Sequence, residues 1–196
     1  IVITDFYRWL EDKDNPEVKE WSKAQHNYTI EYIKNTTKQI PGLHEEIRNY
    51  LDRDYVSAPF FKAKREFFYA RRKGEQQSKL FTRLDGREKL IFDPMKIDSS
   101  GKTAISSFVL NKDASKGAVG VQTRGNEIIR YYFLDTKTGK EIAPPLDNVY
   151  SLSWCRNEKF AYVTYRSAED IKKQVPLKTF LHRIGEEPTN DKFLFA

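Results

Sequence analysis

Three histidines, one cysteine and a run of cations set among aromatic rings are the side chains in this sequence with the clearest capacity for chemistry. A hydrolytic triad needs a histidine beside a nucleophile and an acid to orient it. Where a serine nucleophile sits on a strained strand-to-helix turn, that turn reads Gly-x-Ser-x-Gly, and none of the nine glycines begins such a pattern. His26 falls within a predicted helix, His44 early in a second and His182 inside a predicted strand, which suits structural or surface roles. His44-Glu45-Glu46-Ile47-Arg48 starts like a zinc-binding His-Glu-x-x-His, but Arg48 stands where the second ligand belongs. Gly117-Ala118-Val119-Gly120 lies in a strand context with no following helix and no Lys-Ser/Thr pair, so it is not a phosphate loop. The sequence therefore predicts no catalytic residue, no metal site and no cofactor in this chain.

Cys155 is the sole cysteine, which excludes an intramolecular disulfide and a Cys-rich metal site. As a small apolar side chain at a strand end it fits a reducing compartment. Lys62, Lys64, Arg65, Arg71, Arg72 and Lys73 are interleaved with Phe60, Phe61, Phe67, Phe68 and Tyr69. Bases could stack on such rings while the cations neutralise phosphates. Strand geometry, however, puts Phe67 and Tyr69 on one face with Arg71 and turns Phe68 to the other. That mixture suits a core strand better than a stacking platform, so nucleic acid is not the expected partner.

The elements that must position these residues fall into two regions. With 196 residues, 39% apolar and 32% charged, the chain can bury a substantial core and has the balance of a soluble globular protein. No apolar run nears the roughly 18 residues that span a bilayer. The start, Ile1-Val2-Ile3-Thr4-Asp5, lacks both the basic beginning and the apolar centre of a signal peptide. With the single cysteine this gives a cytoplasmic expectation, with the periplasm left open, and no membrane partner. There is no initiator Met, so the true start is expected to lie upstream. Residues 1–52 hold 7 Lys/Arg against 10 Asp/Glu and residues 53–196 hold 27 against 18, a shift that divides the chain.

In 1–52, Asn15-Pro16-Glu17 reads as a helix start, with a cap, a first-turn proline and an acid that complements the dipole. Val18, Trp21, Gln25, Tyr28 and Tyr32 then trace one face, and the helix fades near 35–37. Pro41 opens a shorter helix with the stripe Leu43, Ile47, Tyr50 and Leu51. From 53 to 196, aromatic and β-branched runs separated by Gly, Asp, Asn and Pro read as antiparallel strands. They repeat in order: Phe67–Ala70, Ala118–Val121 and Phe160–Val163, then Ser78–Leu84, Ile128–Asp135 and Lys178–Gly185. Closing strands follow at Lys89–Phe92, Glu141–Ala143 and Lys192–Phe195, and opening strands precede at Phe60–Ala63, Ala104–Leu110 and Val149–Trp154. Corresponding strands lie about 40 to 55 residues apart, the spacing of four-stranded propeller blades. A single β-sandwich carries as many short strands, so spacing alone leaves both open.

Asp5-Phe6-Tyr7-Arg8-Trp9-Leu10-Glu11-Asp12 resembles the opening signature of the prolyl oligopeptidase family of serine peptidases, Asp-Pro-Tyr-x-Trp-Leu-Glu-Asp. The helix after it, with Pro16-Glu17-Val18 and Ala24-Gln25, is similar to the family's next segment. Phe92-Asp93-Pro94, Ser100-Gly101-Lys102-Thr103, Trp154 with Phe160-Ala161-Tyr162, and His182-Arg183-Ile184-Gly185 with Asp191 resemble later family elements in order. Phe6 replaces Pro, His26 falls where Asn is usual and Glu186 replaces Thr.

This resemblance implies a mainly β fold with an N-terminal helical segment, holding the first blades of a seven-bladed β-propeller as an incomplete ring. Residues 1–52 would dock on an α/β-hydrolase domain beyond Ala196, and 53–196 would form about three four-stranded blades. Asp5, Tyr7, Trp9, Leu10, Glu11 and Asp12 would be structural. The family hydrolyses short peptides on the carboxyl side of proline, and its pocket takes an aromatic residue just before the third-blade Trp, where Tyr150 is the nearest match. Oligopeptidase B, cleaving after Lys or Arg, and a stand-alone binding module are the alternative expectations. An open blade edge would also promote self-association.

Overall fold

Asn15 caps the first helix: in the computed structural model, which describes residues 4–36 and 40–196, its Oδ1 accepts the Glu17 N–H at 2.9 Å. Helix α1 (Pro16–Thr36) and helix α2 (Leu43–Leu51) follow. The expected fade at 35–37 is described only as far as Thr36. Helix α2 starts two residues after Pro41 because Gly42 takes φ +80°, a left-handed turn that ends at its carbonyl, which accepts from Glu46 N–H. The chain divides between Tyr50 and Leu51 into two units.

The second unit is mainly antiparallel β. One five-stranded sheet contains β1 (Tyr55–Val56), β2 (Phe60–Lys62), β3 (Arg65–Arg71), β4 (Lys79–Leu84) and β5 (Arg87–Phe92). A seven-stranded sheet runs in sequence order through β6 (Thr103–Leu110), β7 (Lys116–Thr123), β8 (Ile129–Asp135), β9 (Glu141–Trp154), β10 (Phe160–Tyr165), β11 (Lys178–Arg183) and β12 (Lys192–Phe195). Blade one denotes the five-stranded sheet, blade two β6 to β8 with the first half of β9, and blade three the second half of β9 with β10 to β12.

Two details depart from the expected strands. The opening strand of blade one is broken: β2 pairs one half of β3 (Phe60↔Phe67) and β1 the other (Tyr55↔Arg71). Pro59 sits in the gap and has no N–H to give the ladder. Ser57 mends it, donating its N–H to Tyr69 O and accepting the Tyr69 N–H on its hydroxyl, both at 2.9 Å. Ser57→Ala is expected to leave that N–H unmet and cost about 1–3 kcal/mol, read as a lower urea midpoint; an unchanged midpoint would contradict the repair.

In the second departure, 141–143 and 149–154 are one continuous strand. The first half of β9 pairs β8 (Phe133↔Ala143) and its second half pairs β10 (Leu152↔Val163), so a single strand closes blade two and opens blade three. Pro144-Pro145 and Asn148, at φ +58°, are absorbed as register shifts instead of ending it.

Blade two is buried on both faces by simple alternation. Val119 and Tyr132 face blade one, joining Phe67, Leu80, Ile91 and Leu110, while their strand neighbours Ala118 and Phe133 face blade three with Leu146, Leu152 and Val163. Within blade two, Gly120 on β7 leaves room for side chains of β6 and β8, since a Cβ there would lie 2.4 Å from Ser107 Oγ and 2.7 Å from Ile129. The turn aspartates Asp98, Asp113, Asp135 and Asp170 are all held below the usual carboxylate range, first by hydroxyls of Ser100, Ser115, Thr138 and Ser167.

Candidate functional site

Two cations of the basic, aromatic stretch, Lys62 and Arg65, join blade one to blade two. Phe67 and Phe68 are both buried, on opposite faces of β3. Lys62 Nζ donates to Leu110 O at 2.8 Å and Arg65 donates to Ala114 O at 2.7 Å and to the Thr136 hydroxyl, all in blade two. Arg83 caps the Phe68 ring at 4.9 Å and pairs with Glu66 and Glu88. Arg72 lies 3.9 Å from Asp54 and 3.7 Å from Glu88.

The histidines divide into two kinds. His26 and His44 are exposed on α1 and α2. His182 on β11 is buried, its Nδ1 2.8 Å from Asp191 Oδ1 and its ring stacked 6.3 Å from Phe133. The other Asp191 oxygen accepts the Tyr165 hydroxyl, and burial first and that carboxylate second push the phenol far above its ordinary range. The resulting Tyr165–Asp191–His182 chain ties β10 and β11 to the turn before β12. Cys155 is half-buried, and burial pushes its thiol up, away from the reactive thiolate. Among the described residues no group of three or more His, Cys, Asp or Glu is placed to hold a metal, and no helix is long and apolar enough to cross a membrane.

The opening signature forms a turn and a single 3-10 turn, Arg8–Glu11. Asp5 Oδ1 accepts the Tyr7 N–H at 2.9 Å and Asp12 Oδ1 the Asp14 N–H at 3.2 Å. Leu10 donates its N–H to Tyr7 O, Glu11 lies 4.0 Å from Arg8, and Trp9 meets Trp21 of α1 edge-on at 6.0 Å. On the same helix Tyr28 and Tyr32 stack at 6.3 Å, and both are exposed.

Tyr150 occupies an unusual position. On β10, Thr164 pairs with Ser151 and Tyr165 with Val149, which leaves Tyr150 as the extra residue of a β-bulge. Bulges re-aim side chains and recur beside binding sites. The Tyr150 ring is 44% exposed, and the Arg166 guanidinium lies over it at 5.5 Å. Arg166 follows β10 directly and donates its N–H to Asn148 O at 2.7 Å. Ser167 then caps helix α3 (Ala168–Lys172) in a reciprocal box with Asp170, which fixes the chain where Arg166 emerges. Of the nearby acids, Asp147 holds Arg130 through two bonds of 2.6 and 2.7 Å, Asp170 holds Ser167 and Glu169 pairs with Lys173, while Glu187 lines the neighbouring cleft. Asn148 and Tyr165 also line an open cleft of ≈ 440 Å³ with Pro145, Asp147, Asp170 and Phe180. Sequence reasoning singled out Tyr150 and missed Arg166 and α3, although Ser167-x-x-Asp170 is a cap signal that marks the strand end.

Comparison with known proteins gives a consistent set of likenesses. The family described as "Prolyl oligopeptidase, N-terminal beta-propeller domain" matches residues 2–196. A prolyl endopeptidase of Elizabethkingia miricola is 26% identical over 99% of this chain and 28% of its own length. Protease 2 of Moraxella lacunata is 22% identical over 99% of this chain and 29% of its own. A structure from a study of two prolyl endopeptidases superposes with a TM-score of 0.80 at 22% identity, covering all of this chain and 30% of the other. Prolyl oligopeptidase B of Galerina marginata, bound to a 35mer substrate, gives 0.78 at 18% identity and 30% coverage. The chain thus spans about three tenths of the length of the proteins it matches.

Proposed function

This chain belongs to the prolyl oligopeptidase family, as its N-terminal β-propeller portion, and on that premise we propose that it serves a serine endopeptidase cleaving short peptides after proline. The observation that carries the reading is the family match over residues 2–196. In this reading the catalytic Ser, Asp and His belong to an α/β-hydrolase domain outside the sequence. The present chain docks that domain and, with further blades, restricts access to it. The exposed aromatic stripe Trp21, Tyr28 and Tyr32 on α1 is the docking face, since an exposed row of rings is the surface a packed domain would cover. Tyr150, turned out by its bulge, offers a ring to bound substrate.

The test is cleavage of an N-acylated Gly-Pro-aminomethylcoumarin by the intact protein that carries this chain. Release of the coumarin after proline, blocked by a serine-directed phosphonate, is the expected result, with no release by residues 1–196 alone. Cleavage after Lys or Arg instead would move the reading to oligopeptidase B. No cleavage of either substrate would overturn the peptidase reading.

A further inference from the structure

We infer that Arg166, held over the bulged Tyr150, is an anion subsite that takes a carboxylate of the bound peptide. This deepens the peptidase reading and rests on it for the substrate class, but the geometry stands apart from it. Arg166 Nε is shut off from solvent and meets no acceptor among the described residues. A buried N–H left unmet is costly, and a shift of the side chain that brings it to a ligand oxygen recovers that cost. Three nearby acids, Asp147, Glu169 and Asp170, are occupied by Arg130, Lys173 and Ser167. No ion pair to Arg166 exists among the described residues, whereas Arg83 and Arg130, elsewhere in the sheets, are both paired with carboxylates.

The guanidinium is also positioned, not loose. Its backbone N–H is tied to Asn148, its guanidinium carbon lies 5.5 Å from the centre of the Tyr150 ring, and the α3 capping box anchors the next residue. A planar fork fixed in this way presents parallel donors that match a carboxylate and give little to a neutral amide. The Tyr150 ring beneath it supplies the apolar floor for the adjoining part of the peptide. The ligand is therefore a peptide carrying a carboxylate, from an acidic side chain or from its C-terminus.

Three peptides separate the sources: acetyl-Glu-Gly-Pro-amide, acetyl-Gln-Gly-Pro-amide and acetyl-Gln-Gly-Pro with a free carboxylate. Each is titrated into the 196-residue chain while the Arg166 Nε–Hε resonance is followed by arginine-selective ¹⁵N NMR. The expected result is a saturating downfield shift with a carboxylate peptide, about tenfold or more tighter than with the neutral one. Which charged peptide produces it names the source. Arg166→Gln abolishes the difference, and Arg166→Lys, which keeps the charge and guards against misfolding, retains part of it. Equal affinity for all three, or an unmoved resonance, overturns the subsite. Failure of the peptidase reading is separate: it shows as no cleavage of a neutral prolyl substrate, whatever the titration gives.

Discussion

Replacing Phe133 with alanine is expected to lower the unfolding free energy of the strand unit by about 3–5 kcal/mol. Phe133 has no exposed surface, meets Trp154 edge-on at 5.9 Å and stacks on His182. It lies in the cluster joining blade two to blade three, so its removal opens a cavity that neither blade can close alone. Of the three tryptophans only Trp154 lies in this unit, so its fluorescence, with Trp9 and Trp21 changed to Phe, reports the loss directly during urea unfolding. Phe133→Leu, which keeps most of the volume, costs about 1.5 kcal/mol or less. A loss below about 1 kcal/mol for the alanine variant would mean that the inter-blade core is not what holds these blades.

Asp191→Ala is expected to be comparably severe, about 3–5 kcal/mol, for a different reason. One carboxylate serves two donors, the buried His182 ring and the half-buried Tyr165 hydroxyl, and both lose their acceptor at once. Asp191→Asn keeps one acceptor oxygen and is expected to recover part of the loss. The second signature is spectral: burial and the Asp191 carboxylate raise the Tyr165 phenol, so in alkaline difference absorption at 295 nm it is expected among the last tyrosines of the wild type to titrate, with Tyr69 also raised. In Asp191→Ala that tyrosine titrates earlier. Equal stability and an unchanged tyrosine titration would show that the network carries nothing.

Much of this was legible from residue types. Asn15-Pro16 marks a helix start by local chemistry that needs no partner, and the alternation in Phe67-Phe68-Tyr69 predicts a strand buried on both sides. The continuity of β9 was not legible, because Pro144-Pro145 and Asn148 are turn residues by local preference. Pairing with β8 and β10, contributed from outside the segment, keeps it extended. Arg166 escaped for a related reason. A sequence shows that a cation is present, but only packing shows that its Nε is enclosed and that Asp147 is engaged elsewhere. The role of Lys62 and Arg65 was equally hidden, since their acceptors are two backbone carbonyls some 50 residues away, which carry no side-chain signal, and a Thr136 hydroxyl farther still.

The shared strand also sets where the array can flex. Blades two and three are spliced by one backbone, so parting them requires shearing a hydrogen-bonded ladder on both sides of β9. Blades one and two belong to separate sheets, joined by interdigitated side chains and by the clasps from Lys62 and Arg65. Such a seam yields to a small lateral displacement that the spliced joint resists. Breathing of the array is thereby directed to a single fault line, whose stiffness two cations set.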